Sequence, residues 1–343
     1  MKREICSVAV LVMWIAGQAF AWDTSRNPDR WTEVGMQVTG GGDIGGDQQI
    51  MTSKGATFDP SLSGTNISVM GEMLMPLSNN WSVRVALGGS FINALRDQAA
   101  TIDASDSHSQ TLNYNAMARY YFVDHHLTSN DVSQNPDEWP SMGLTFTGSN
   151  RVGYSSVSTL NGVDNETLDN ALDSGFSNSY GVSSDMRLPV SNHWTLTTSL
   201  GGNFNDFGNP GARNIAESET HIQTLNASAG TKYYFVGHNL IAQDNGKNPD
   251  RWISLATGVN GGLSVHGEQD NNLNGVETDR DTNTHNVGFS SELRLPVANA
   301  LTLRLALSGS WAYSNYPLTG IYNENDSYTQ NLTGLVGFRY FFE

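Results

Sequence analysis

One motif occurs three times in this chain. Asn27-Pro28-Asp29-Arg30-Trp31 returns as Asn135-Pro136-Asp137-Glu138-Trp139 and as Asn248-Pro249-Asp250-Arg251-Trp252, at a spacing of roughly 110 residues. Other segments repeat in step. Glu72-Met73-Leu74-Met75-Pro76 matches Asp185-Met186-Arg187-Leu188-Pro189 and Glu292-Leu293-Arg294-Leu295-Pro296, and the copies close on Arg119-Tyr120-Tyr121-Phe122, Lys232-Tyr233-Tyr234-Phe235 and Arg339-Tyr340-Phe341-Phe342. A single copy has too little apolar surface to bury alone. The copies, 27–134, 135–247 and 248–343, are therefore expected to join into one closed domain spanning 22–343.

The start of the chain suggests a compartment. Lys2 and Arg3 precede an apolar run from Ile5 to Ala16, and Ala19-Phe20-Ala21 offers a small-x-small cleavage site. Residues 1–21 thus read as a secretory signal peptide, since the run is shorter than the ~20 residues of a spanning helix. Cys6 is the single cysteine and lies within that segment. The mature chain is expected to lack disulfides and to rely on backbone pairing and packing.

Mean hydropathy is -0.37, and no second long apolar stretch exists. That excludes a helical membrane protein but not a barrel, whose strands meet lipid only at alternate residues. The alternation is present. Leu301, Leu303, Leu305, Leu307 and Trp311 share one face, with Thr302, Arg304, Ala306, Ser308 and Ser310 on the other. Val83, Val85, Leu87 and Phe91 repeat the phase, as do Leu332, Val336, Phe338, Tyr340 and Phe342. In the first copy four such segments fall near 31–42, 66–76, 81–92 and 110–123, each near the ~10 residues of a tilted membrane strand. Three times four gives an all-β, transmembrane, antiparallel up-and-down β-barrel of twelve strands.

Connection lengths alternate as well. Short turns fall at Ser78-Asn79-Asn80, Ser191-Asn192-His193 and Ala298-Asn299-Ala300, while the other connections within a copy run to about 15 to 30 residues. Short turns are expected in the periplasm with both termini, and long loops outside. The linkers between copies are long for periplasmic turns. Their Asn-Pro-Asp ends read as turns that stop one strand and preset the next at the inner membrane edge. Trp81, Trp194, Tyr120, Tyr233, Tyr340 and Phe342 are expected in an inner aromatic girdle, and Phe91, Phe204 and Trp311 in an outer one.

With these residues the chain resembles the Gram-negative outer-membrane β-barrel superfamily. The resemblance rests on the signal peptide and on endings such as Asn226-Ala227-Ser228-Ala229-Gly230-Thr231-Lys232-Tyr233-Tyr234-Phe235, which are similar to closing strands of opacity-type and porin-like barrels. It implies a bacterial outer-membrane location and contact with outer-membrane lipid. The C-terminal strand is similar to the assembly signal read by the barrel-insertion machinery, although Glu343 follows the terminal Phe342.

Function has to be read from the inward face. Alternation sends Arg84, Arg119, Arg187, Lys232, Arg294, Arg304 and Arg339 into the lumen, against Glu33, Glu72, Asp185 and Glu292. Two readings follow. The charges pair into a network that fills the barrel, as Asp185 with Arg187 and Glu292 with Arg294 suggest, or the cation surplus forms a constriction that attracts anions. The leading expectation is a narrow channel for small solutes that favours anions. The alternative is a structural or adhesive surface barrel with a packed lumen. Arg84 and Arg304 occupy matching positions, and Thr197 replaces them in the second copy. A specific site is expected where the copies differ, at Thr197 and in the loops.

The long loops carry the opposite sign, with twenty Asp and Glu against five Lys and Arg. Such a crown disfavours nucleic acid and favours cations or water. Within it Asp270, Asn272, Asn274 and Asp281 fall at the first, third, fifth and twelfth positions of a calcium-type loop, with Gly275 at the sixth. The same stretch also reads as a solvated Asx turn, and no other cofactor is suggested. Catalysis is not expected. Ser107-His108 and Thr220-His221 recur at matching positions, with Tyr328 in the third copy, and His125-His126 sits in a linker; no converging triad emerges.

Overall fold

The computed structural model describes residues 23–29, 31–52, 57–58, 62–96, 104–125, 127, 131–160, 163–164, 176–209, 217–237, 248–250, 252–273, 276–281, 283–317 and 322–342. At the far ends of several strands it describes the backbone alone. The signal-peptide segment 1–21 lies outside the described residues.

Twelve long strands form the wall. They are β1 (Thr32–Thr52), β2 (Leu62–Pro76), β3 (Trp81–Arg96), β4 (Ala104–Tyr121), β5 (Ser141–Leu160), β6 (Phe176–Pro189), β7 (Trp194–Asn209), β8 (Glu217–Tyr234), β9 (Ser254–Leu273), β10 (Asn283–Ala298), β11 (Leu301–Pro317) and β12 (Tyr322–Phe342). Each pairs antiparallel with its sequence neighbours, and β1 pairs with β12 from Thr32 opposite Phe342. The ring is therefore closed over the paired registers, and beyond Gly42–Thr65, Asn150–Asn178 and Leu263–His285 the neighbouring strands part. Among the described residues there is no helix.

Exposure follows the alternation read from the sequence. Val34, Met36, Val38, Leu87, Phe91, Leu307, Val336 and Phe338 face outward, while Glu33, Ser82, Ala86, Thr302 and Arg339 are buried inside. An outer surface of this kind suits lipid, and the inner one suits polar packing. At the end carrying both termini, Trp81 packs on Tyr120 at 5.0 Å, Trp194 on Tyr233 at 4.8 Å and Tyr340 on Phe342 at 4.9 Å. In each copy, rings expected in the inner girdle pack edge to face.

Two expectations need correction. The strands are 14 to 21 residues long, well beyond the ~10 a bilayer requires. Much of the sequence assigned to open loops continues the ladders instead, because each residue added to a hairpin pairs its own backbone groups. The Asp270 region is an example. Its backbone is a hairpin in which Val276–Asp281 pairs with β9, with Asp270 opposite Asp279. Asn274 and the side chains of Asp270, Asn272 and Asp281 lie outside the described residues. The second correction concerns the Asn-Pro-Asp turns, which do not stay at the rim.

Candidate functional site

Each Asn-Pro-Asp turn is tied to the short turn of its own copy. The side-chain amide of Asn27 donates to the Ser78 and Trp81 carbonyls, Asn135 to Ser191 and Trp194, and Asn248 to Ala298 and Leu301, at 2.5 to 3.2 Å. Their Oδ1 atoms accept from the backbone amides of Asp29, Asp137 and Asp250, each at 2.9 Å. This is the Asx turn that asparagine before proline favours. All three asparagines are buried, at 0%, 3% and 1% exposure. The ties carry the following aspartates into the mouth of the barrel. Pro28, Pro136 and Pro249 line one small cavity there, of about 60 Å³, together with Asp29, Asp137 and Asp250.

The lumen charges meet these aspartates. Arg339 contacts Glu33 at 2.6 Å, Glu72 at 3.7 Å and Asp250 at 3.9 Å. Arg304 bridges Glu72 at 3.0 Å and Glu292 at 2.7 Å, and Arg294 bridges Glu292 at 2.5 Å and Asp250 at 3.9 Å. Followed round, Arg339, Glu72, Arg304, Glu292, Arg294 and Asp250 make a closed ring of alternating charge. Glu33 is held beside it. Across the lumen Arg119 donates to Asp185 at 2.6 Å and to Ser141 at 2.9 Å, and Arg187 lies 4.0 Å from Asp185. Lys232 stands over the Tyr234 ring, with Nζ 4.4 Å from its centroid.

Glycine makes room for two of these carboxylates. A Cβ on Gly35 would lie 2.8 Å from Glu72 Oε1, and one on Gly143 would meet Asp185 and come within 3.0 Å of Arg119 Nη2. These glycines sit directly opposite the acids in register. The pairs would be displaced by any larger side chain.

The aspartates of the turns alter the charge balance. Asp29 accepts from the Tyr121 hydroxyl at 2.5 Å and Asp137 from Tyr234 at 2.6 Å. Burial opposes the charge of Asp137, but Lys232 and Arg187 outweigh it and hold the carboxyl well below the usual range. Burial likewise opposes the charge of Asp250, while Arg339 and Arg294 hold its carboxyl low. Adding these three acids to Glu33, Glu72, Asp185 and Glu292 matches the seven lumen cations one for one. The cation surplus expected from alternation is therefore offset at this end. Sequence reasoning missed the three acids because they precede the strands and carry no alternation signal; their recurrence was the available clue.

A second cavity, of about 280 Å³, lies against β7 to β10 and is lined by Thr197, Ser228, Gly258, Asn260, Ser290 and Glu292. Asp137, Arg187, Lys232 and Arg294 line both cavities. These four side chains stand between the two spaces, and three of them are cations. The residues at the three matching positions, His108, His221 and Tyr328, pack on aromatic rings. His108 stacks on Phe91 and His221 on Phe204, at 6.1 and 6.2 Å, while Tyr328 packs against Trp311 at 6.0 Å. Ring packing accounts for the recurrence of these positions. His126 and the Ser107 side chain lie outside the described residues.

No protein-family model and no curated protein matches the chain. Among solved structures it is similar to the transport unit of the autotransporter AIDA-I from Escherichia coli, with a TM-score of 0.51, 10% identity and 90% of each chain covered. It also matches an outer-membrane channel from Pseudomonas putida F1 with a TM-score of 0.49 and 11% identity, over 91% of this chain and 96% of that one. The translocator domain of the autotransporter NalP from Neisseria meningitidis matches with a TM-score of 0.43 and 12% identity, over 91% and 88%. What the chain shares with the AIDA-I transport unit is the fold alone: it is a closed, twelve-stranded antiparallel β-barrel.

Proposed function

We propose that this protein is a narrow, non-enzymatic passage for small solutes in a bacterial outer membrane, favouring anions at its constriction. The single observation that carries this reading is the pair of adjoining cavities separated by Asp137, Arg187, Lys232 and Arg294. Three cations to one carboxylate where the two cavities meet favour a passing anion, even though the charges of the whole end balance. The ion-pair ring packs one side of the lumen, so the path is displaced toward β7 to β10. In this reading the short turns and termini face the periplasm, after export directed by 1–21 and insertion by the barrel-assembly machinery. The strand extensions, with their acidic residues, face outward.

Planar-bilayer recording of refolded protein tests the proposal. Small conductance steps with a reversal potential biased toward chloride are expected in a potassium chloride gradient. Replacing Lys232 with Met should reduce that bias. A bilayer that stays closed, or a bias toward potassium, would overturn the reading.

A further inference from the structure

The copies differ at one lumen position in a way that creates space. Arg84 on β3 and Arg304 on β11 occupy the position that Thr197 takes on β7. Arg304 reaches to Glu72 and Glu292. Thr197 reaches no such partner and instead borders the 280 Å³ cavity. The facing wall is small as well. A Cβ on Gly230 would lie 3.0 Å from Thr197 Oγ1 and 2.7 Å from the Thr257 carbonyl, so bulk on the β8 side would close the space. A space of about 280 Å³ accommodates a small solute.

The lining specifies chemistry. Lys232 presents an ammonium that rests over the Tyr234 ring, near enough to Asp137 to support the charge of its carboxylate. Glu292, by contrast, is occupied by Arg294 and Arg304. Two register steps from Lys232, Thr197 and Ser290 offer hydroxyls to the same cavity, whereas Ser228, already bonded to Ser199 at 2.7 Å, and Asn260 lie two steps further along the wall. Each can donate to or accept from a solute hydroxyl. We infer that this cavity is a binding subsite for a small hydroxylated carboxylate, with its anionic group on Lys232 and its hydroxyls on Thr197 and Ser290. The inference rests on the passage reading for its role but not for its existence, because a site can bind without conducting.

Glycerate and its uncharged relative glycerol are the probes. Titration calorimetry on the full barrel refolded in detergent should show saturable glycerate binding and no glycerol binding. Thr197→Arg, which restores the residue of the other copies, should weaken glycerate binding about tenfold or more by filling the space, as should Lys232→Met by removing a charged partner. Both variants should keep the altered gel migration of unheated folded barrel, which separates loss of the site from loss of the fold. In bilayers glycerate should lower chloride conductance saturably in the wild type and less so in Thr197→Arg. Absent glycerate binding, equal binding of glycerol, or unchanged affinity in a folded Thr197→Arg barrel would each overturn the inference. Glycerate binding by a barrel that never conducts would retain the subsite and overturn the passage reading alone.

Discussion

At the residue scale, the third Asn-Pro-Asp turn lacks something the other two have. Asp29 and Asp137 each receive a tyrosine hydroxyl, from Tyr121 and Tyr234, whereas the matching residue near Asp250 is Phe341. Asp250 Oδ2 is buried without a hydrogen bond, and Phe341 is itself buried. Phe341→Tyr is therefore expected to stabilise the barrel by about 1.5 to 3 kcal/mol, the range for a hydrogen bond to a charged group. Urea unfolding in lipid vesicles, followed by tryptophan fluorescence, measures this; a midpoint that falls or stays fixed contradicts the account. The lumen cations were legible in the sequence because alternation fixes the face of every strand residue. The acids that meet Arg294, Arg187 and Lys232 from the turns were not legible as partners, since a turn residue can point either way.

At the element scale, the Asn-Pro-Asp turn acts as a hook. Asn135 ties the segment before β5 to the β6–β7 turn through bonds to Ser191 and Trp194, and so carries Asp137 inward. Asn135→Ala would leave those carbonyls and the Asp137 amide short of partners, at a cost of about 1 to 3 kcal/mol. The same change should release Asp137 and raise single-channel conductance. Asn192→Ala removes only exposed contacts to Gln134 and Asp131 and should change neither reading much. Equal effects from the two substitutions would contradict the hook. The repeat made this element visible and its spacing correct. Its inward course was hidden because Asn-Pro-Asp fixes a local turn, while the direction of the turn depends on carbonyls fifty or more residues away.

At the scale of the whole molecule, the closed end depends on ionised turn acids. Asp137 and Asp250 have their carboxyl pKa values lowered in the fold, so their contribution is fully present above the unfolded value of about 3.9 and is lost as pH falls through the lower folded values. Heat resistance of the folded barrel should be level from about pH 8 to 5 and decline below about pH 4. Asp137→Asn should start lower and decline less; a decline that begins near neutrality would point to histidines instead. The sequence by itself determined the barrel, its strand count and the inside and outside of its wall, because period-two alternation and obligatory backbone pairing in lipid leave few other solutions. Tertiary structure alone decided which charges meet inside the wall and where space remains beside them. The ring of Arg339, Glu72, Arg304, Glu292, Arg294 and Asp250, and the space beside Thr197, arise from strands and turns that meet only when the sheet closes, and no local sequence signal encodes that meeting.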